Sequence, residues 1–147
     1  MDAEVEVLTT PPAIVIDRTQ KLLVVVRFQR EFSDTEFHEY LSEYEKILEA
    51  ELRFAAVFVT DPGMPMTPGR HSRAQAQFMK RHRQLMGERV VGVAFSLPTP
   101  LMRGVLRGIL MLQPAPCPHT VVATEHEGVS WAKARLWSDH VRRLTKT

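Results

Sequence analysis

The sequence contains a single cysteine, Cys117, and therefore cannot form an internal disulfide bond. Its apolar runs are short, and none approaches the roughly 18 residues that a membrane-spanning helix requires. Residues 1–6 are acidic and carry neither the basic start nor the apolar stretch of a secretory signal peptide. These absences exclude a disulfide-stabilised scaffold, and they predict a cytoplasmic protein without a membrane span.

The chain also lacks an excess of one charge. Its 19 lysines and arginines oppose 17 aspartates and glutamates, which gives a formal net charge of +2. A nucleic-acid-binding domain concentrates more positive charge than this, so nucleic acid is not an expected partner. The length of 147 residues, with 44% hydrophobic and 24% charged residues, is typical of one globular domain. We place that domain at residues 13–147, after a flexible N-terminal arm of residues 1–12.

Short apolar runs alternate with amphipathic segments along the chain, which predicts an α/β fold. The runs at residues 13–16 and 22–28 flank a short polar link and predict a β-hairpin. After the hairpin, strands and helices alternate, which implies parallel pairing with right-handed crossovers. The predicted order is ββαβαβαβα in one mixed, mostly parallel sheet. Further strands are predicted at residues 54–59, 90–95 and 120–123, and helices at about 34–51, 69–87, 101–112 and 125–141.

Two helix starts show the spacing of a capping box, in which a hydroxyl and a carboxylate three residues later satisfy free backbone amides. Ser33 pairs in this way with Glu36, and Thr124 with Glu127. Thr124 also ends a strand beside a helix N-terminus, where α/β folds often hold anions. The spacing explains both residues without a ligand, and we predict that they stabilise helices.

The chain shows no pattern for catalysis or metal binding. Its six histidines form no i, i+4 pair on a helix, so neither a metal nor another cofactor is expected. Cys117 lies between Pro116 and Pro118, in a loop that offers no helix N-terminus to lower the thiol pKa. A nucleophile elbow, a phosphate-binding P-loop and a dinucleotide-binding motif are all missing. No catalytic residue is predicted, and we interpret the chain as a protein that is not an enzyme.

The second predicted helix is basic, and the first is acidic. Neighbouring helices of opposite charge neutralise each other, and the basic segment lacks the aromatic residues that stack on bases. Mutual neutralisation is therefore favoured over binding of phosphate or nucleic acid. The basic segment contains Arg70, His71, Arg73, Lys80, Arg81, His82 and Arg83, and the acidic face contains Glu36, Glu39, Glu43 and Glu49.

The predicted helix at 101–112 is apolar on nearly all sides, with Arg103 and Arg107 as its only polar stripe. A helix of this kind is normally buried all round, either within its own domain or against a second copy or a ligand. Gly104 and Gly108 allow close backbone approach, and methionines suit an adaptable binding surface. The candidate interface or ligand face comprises Leu101, Met102, Arg103, Val105, Arg107, Ile109 and Met111, and a second candidate, the loop after the central strand, comprises Asp61, Met64 and Met66.

A resemblance to a known family extends over residues 13–137. It is carried by the hairpin, the strand at 54–59 that leads to Asp61, the strand at 90–95, and the segments 101–106 and 121–124 followed by Trp131-Ala132. With these features the chain resembles the STAS/Sec14-like superfamily, and in particular the small SpoIIAA-like proteins, similar to the sporulation anti-sigma-factor antagonist. The resemblance implies one α/β domain that works by interaction.

The antagonists of that family carry a phosphorylated serine beside an aspartate just after the central strand. Here Asp61 is followed by Pro62, and the next hydroxyl groups belong to Thr67 and Ser72, so no phosphorylation site is transferred. The resemblance implies a non-catalytic protein-interaction or regulatory adaptor domain, which we expect to be a homodimer. The alternatives are a carrier of a hydrophobic small molecule or peptide, and an enzyme with unrecognised chemistry.

Overall fold

The computed structural model describes residues 12–50, 52–64 and 69–146, without the side chains of Gly69 and Arg70. Within these ranges the chain forms five strands and five helices. They are β1 (Ile14–Asp17), β2 (Leu23–Phe28), α1 (Asp34–Glu49), β3 (Phe54–Thr60), α2 (Gly69–Arg81), α3 (Arg83–Arg89), β4 (Val90–Ser96), α4 (Pro100–Leu112), β5 (His119–Val122) and α5 (Glu125–Leu144).

The strands form one sheet in the order β1-β2-β3-β4-β5, so that neighbours in the sheet are also neighbours in the chain. β1 and β2 are antiparallel, and the other pairs are parallel. The predicted hairpin and the mixed, mostly parallel sheet are confirmed. The predicted arm, residues 1–12, lies outside the described residues apart from Pro12.

The hairpin turns at Leu22, whose φ of 62° lies in the left-handed region that favours glycine. A leucine in this conformation costs about 1–2 kcal/mol. The Leu22 carbonyl accepts the backbone amide of Ala55 at 3.0 Å. The turn is therefore tied directly to the start of β3.

Alternate residues of each strand face opposite sides of the sheet, and helices cover both sides. On one side, Val26 packs with α1, α2 and α3 in a core rich in aromatic rings, among them Tyr44 and Phe78. On the other side, Val57 packs with Ala132 of α5. The hydrophobic core therefore has two layers, one above and one below the sheet.

The prediction of one continuous helix at residues 69–87 is wrong, because the helix breaks at His82. This residue has a φ of −104° and a ψ of 15°, outside the helical range. Its ring lies 4.5 Å from that of Phe78, and its Nε2 lies 3.0 Å from a carboxylate oxygen of Glu45 on α1. These contacts draw His82 inward, and α3 begins at the following residue.

One of the two predicted capping boxes is complete. The Ser33 amide donates to the Glu36 carboxylate at 3.0 Å, and the Glu36 amide donates to the Ser33 hydroxyl at 3.1 Å. Thr124 accepts the Glu127 amide at 3.2 Å, but its hydroxyl, and not its amide, donates to the Glu127 carboxylate. Thr124 is therefore an N-cap without the reciprocal amide bond.

Two glycines let α5 lie close to the sheet. A Cβ atom at Gly128 would lie 2.9 Å from Cγ1 of Val57, and one at Gly92 would lie 2.9 Å from the Trp131 ring. Real Cβ atoms do not approach other carbon atoms this closely, because repulsion rises steeply below about 3.5 Å. The packing of α5 on β3 and β4 thus requires glycine, which has no side chain, on both the helix and the sheet.

Candidate functional site

Helix α4 is the most exposed apolar element in the described part of the chain. None of its residues is buried, although eight of its 13 residues are leucine, methionine, valine or isoleucine. Exposure reaches 75% at Leu101, 52% at Ile109, 84% at Met111 and 86% at Leu112. Burial of this helix within its own domain, one of the two interpretations of its sequence, is therefore wrong. Neither α4 nor any other described helix is long and apolar enough to span a membrane.

The two arginines of α4 reach back to the protein, Arg103 from a half-buried position and Arg107 from an exposed one. Nη1 of Arg103 donates to the Leu97 carbonyl at 2.8 Å, and Nη2 of Arg107 donates to the Val121 carbonyl at 3.4 Å. Val121 belongs to β5, an edge strand with backbone groups that have no neighbouring strand on one side. Both arginines thus serve backbone carbonyls of the sheet, and α4 turns its apolar residues outward.

Side-chain exposure divides α4 into two sides at the spacing of a helix. Met102, Arg103, Leu106 and Leu110 are half-buried against the domain. The opposite side, which we call the α4 outer face, consists of Leu101, Gly104, Val105, Gly108, Ile109, Met111 and Leu112. The predicted interface residues are thus split: Leu101, Val105, Ile109 and Met111 lie on the α4 outer face, Met102 and Arg103 face the domain, and Arg107 is exposed beside the outer face.

The α4 outer face is uncharged and smooth. A Cβ atom at Gly104 or Gly108 would meet no atom within 4 Å, so the surface is open at both positions. Its five large side chains are between 42% and 86% exposed, and monomeric proteins rarely expose so many apolar side chains together. Exposing so much apolar surface to water is unfavourable, and a partner that covers it gains free energy.

The described part of the loop after the central strand, residues 61–64, forms a turn. The Asp61 amide donates to the Phe28 carbonyl at 3.1 Å, and the Asp61 carbonyl accepts the Met64 amide at 3.1 Å. Met66 lies outside the described residues. The two candidate sites belong to different elements, the loop after β3 and the helix α4.

His71 is a buried residue whose environment the sequence does not indicate. Its ring lies 5.0 Å from that of Phe32 and 4.8 Å from that of Phe37. Nε2 lies 2.7 Å from a carboxylate oxygen of Asp34, whereas Nδ1 is buried without a hydrogen-bond partner. The contact joins the first turns of α1 and α2, which are 37 residues apart. It holds two helices together at the carboxyl end of the sheet.

Cys117 is buried, and burial raises the pKa of its thiol to about 11. The protonated thiol is a poor nucleophile and a poor metal ligand at neutral pH. Within residues 12–50, 52–64 and 69–146, no group of three or more His, Cys, Asp or Glu side chains could hold a metal ion. The cysteine therefore acts as a small apolar core residue.

Comparison with known proteins finds a solved structure whose fold is similar to that of this chain. No family model matches the chain, and no curated protein matches it. A search of solved structures finds an uncharacterized protein of the DUF3478 family, with a SpoIIAA-like fold, from Shewanella loihica PV-4. The match covers 82% of this chain and 92% of that chain, with 14% sequence identity and a TM-score of 0.58. This chain has a SpoIIAA-like fold.

The resemblance stated from the sequence is thereby confirmed for the fold. At 14% identity the likeness establishes the SpoIIAA-like architecture, namely a mixed five-stranded sheet with helices on both sides. Within this SpoIIAA-like fold, α4 lies outside the two core layers and against the β5 edge. The α4 outer face is therefore a surface feature of a fold whose own core is already complete.

Proposed function

We propose that this protein is a non-catalytic interaction domain and that the α4 outer face is its docking surface. The observation that carries the proposal is the orientation of α4: Arg103 faces the domain, Arg107 reaches a β5 carbonyl from an exposed position, and five large apolar side chains face water. A helix that served only its own domain would gain more stability in the opposite orientation. The orientation is explained if another molecule covers the outer face.

The partner that suits this face best is a second copy of the chain. An uncharged apolar helix face is complementary to itself, as a two-fold symmetric interface requires. In a dimer the five large side chains of each copy would pack against those of the other, which removes apolar surface from water on both copies. Gly104 and Gly108 lie in the middle of the face, and their lack of side chains permits close approach of two helices.

The carrier alternative requires an enclosed apolar cavity, and the described depressions lie elsewhere and are partly polar. One, of about 360 Å³, lies between β1 and α1 and is lined by Glu36, Glu39 and Glu43 beside apolar residues. The other lies at α2 and α3 and is lined mainly by basic residues. The α4 outer face is convex helix surface, which favours docking of a protein over enclosure of a small molecule.

Light scattering after gel filtration tests the proposal. We expect the wild-type protein at micromolar concentration to have twice the 16.8 kDa mass of one chain. Ile109→Glu should give the monomer mass, because it places a charge in the centre of the interface. Trp137→Glu is the matched control, since Trp137 is an exposed apolar residue on α5.

The dimer proposal fails on either of two results. One is a wild-type protein of monomer mass at all accessible concentrations. The other is an Ile109→Glu variant that keeps the double mass. If the wild-type protein is a monomer, the remaining hypotheses are that a different protein or a hydrophobic small molecule binds the same face.

A further inference from the structure

Three basic residues at the junction of α2 and α3 have no described contact with the acids of α1. In the described part of α2 and α3, two histidines do reach acids of α1: His71 contacts Asp34 at 2.7 Å, and His82 contacts Glu45 at 3.0 Å. Three stronger cations, Lys80, Arg81 and Arg83, are exposed, and no described ion pair involves them. Their positive charge is therefore available to a ligand from solution.

These three cations line one depression, which we call the basic cleft. Its volume is about 600 Å³, and it is bounded by the end of α2, by α3 and by the loop that precedes β5. The lining residues are Lys80, Arg81, Arg83, Gln84, Gly87 and Pro116. They include three positive charges and no negative charge. The acid on α3, Glu88, accepts from Gln84 at 3.3 Å and does not line the cleft.

The fold holds the walls of the basic cleft together. The inward turn of His82 separates α2 from α3, so Arg81 and Arg83 flank the break. Arg83 donates to the Pro114 carbonyl at 3.4 Å, which links α3 to the loop. A Cβ atom at Gly87 would lie 3.4 Å from the Pro116 carbonyl oxygen, so the wall can approach closely there.

We propose that the basic cleft binds a small phosphorylated molecule, one that carries at least two phosphoryl charges. Guanidinium groups match phosphate oxygens with paired hydrogen bonds, and the lysine adds a compact charge. The depression is shallow and open to solvent, so a small charged molecule can reach all three cations. No lining residue is aromatic, so the cleft lacks the stacking surface that single-stranded nucleic acid uses.

Isothermal titration calorimetry with sodium pyrophosphate at low salt tests the proposal. We expect saturable binding with one site per chain. The double variant Arg81→Gln/Arg83→Gln should weaken binding at least about tenfold, because each guanidinium supplies a charge-assisted contact. The control is Arg73→Gln/Lys133→Gln, which removes the same net charge from exposed residues outside the cleft. It should change affinity less than about twofold.

Both double variants should have the same thermal unfolding temperature as the wild type. A loss of binding is then distinguished from a loss of folding. The proposal is overturned if pyrophosphate gives no binding heat with the wild-type protein. It is also overturned if both double variants lose affinity equally, since net charge alone would then account for binding. Tighter binding of a hexaglutamate peptide or of a 12-nucleotide single strand than of pyrophosphate would assign the cleft to a macromolecule instead.

Discussion

Helices α4 and α5 follow adjacent strands of one sheet, yet α5 packs on the sheet with buried residues and α4 does not. α4 is held by single hydrogen bonds from two arginines and has no buried residue. α5 is clamped near both ends by paired hydrogen bonds, from Arg27 to Glu125 and from Arg53 to Asp139. Arg53 also donates to the Glu88 carbonyl. The more apolar helix is therefore the exposed one.

The difference shows that apolar content does not decide which helix a sheet buries. At the contact with the sheet, α5 presents the small residues Gly128 and Ala132, both buried. Small residues let the helix backbone come near the strands, and the arginine–carboxylate pairs fix its position there. α4 has small residues too, but Gly104 and Gly108 face open space. The placement of small residues, together with the charged anchors, distinguishes the two helices.

The largest effect should come from filling the closest approach of α5. We expect Gly128→Leu to lower the free energy of unfolding by about 3 kcal/mol, because even its Cβ atom would overlap Val57. The matched control is Gly108→Leu on α4, where open space and helix propensity favour a small gain. Both are measured by urea denaturation in the Ile109→Glu background, to keep dimer formation out of the comparison. Equal losses in the two variants would contradict the contrast between the helices.

A smaller effect is expected at the Asp139 anchor. Breaking a buried ion pair costs about 3–5 kcal/mol, but the Arg53 side chain is 30% exposed, so we expect Asp139→Asn to cost about 2 kcal/mol at pH 7. The hydrogen bonds from Arg53 lower the pKa of Asp139 from its ordinary 3.8. A lowered carboxyl pKa stabilises the fold above the unfolded value of 3.8, and the stabilisation is lost as the pH falls through the folded value. The difference between variant and wild type should therefore shrink below pH 4.

Urea denaturation at pH 7 and at pH 3 measures this dependence. Glu43→Gln is the control, because the ion pair of Glu43 with Lys46 is exposed and worth little. A gap between Asp139→Asn and the wild type that is equally wide at both pH values would contradict the assignment of an ionised anchor.

The smallest effect should come from the helix N-caps. Thr99 and Thr124 each accept one backbone amide of the following helix at 3.2 Å. We expect Thr124→Ala to cost about 1 kcal/mol of global stability. In the monomeric Ile109→Glu background, Thr99→Ala should cost less than about 0.5 kcal/mol, because α4 can then open without disturbing the core. Amide hydrogen exchange checks the mechanism: the α4 amides should exchange faster in Thr99→Ala, while the strand amides stay protected. Equal losses of global stability in Thr99→Ala and Thr124→Ala would instead show that α4 unfolds together with the core.

Local patterns predicted most of the fold. The hairpin, the parallel strands and the Ser33–Glu36 capping box follow from residues within a few positions of one another, and each is present. The break at His82 was not predictable in this way, because it depends on Glu45, 37 residues away.

The same reasoning applies to the candidate site. The sequence identified α4 as the unusual helix, and it named residues on its outer face. It did not indicate which side of α4 would face water, because that depends on where the fold places the Leu97 and Val121 carbonyls that the arginines contact. The basic cleft was missed for a similar reason: its third wall, at Pro116, is distant in the chain from α2 and α3.

The order of the strands has a consequence for synthesis on the ribosome. Because every strand pairs with the one made just before it, the sheet can grow from the β1 edge as the chain emerges, without waiting for a distant segment. The exception is the side that α5 covers. Val57 and Ala94 of that side are made well before residues 125–144, so this layer stays open until the last helix leaves the exit tunnel. A nascent chain that pauses after β5 would present this layer to chaperones.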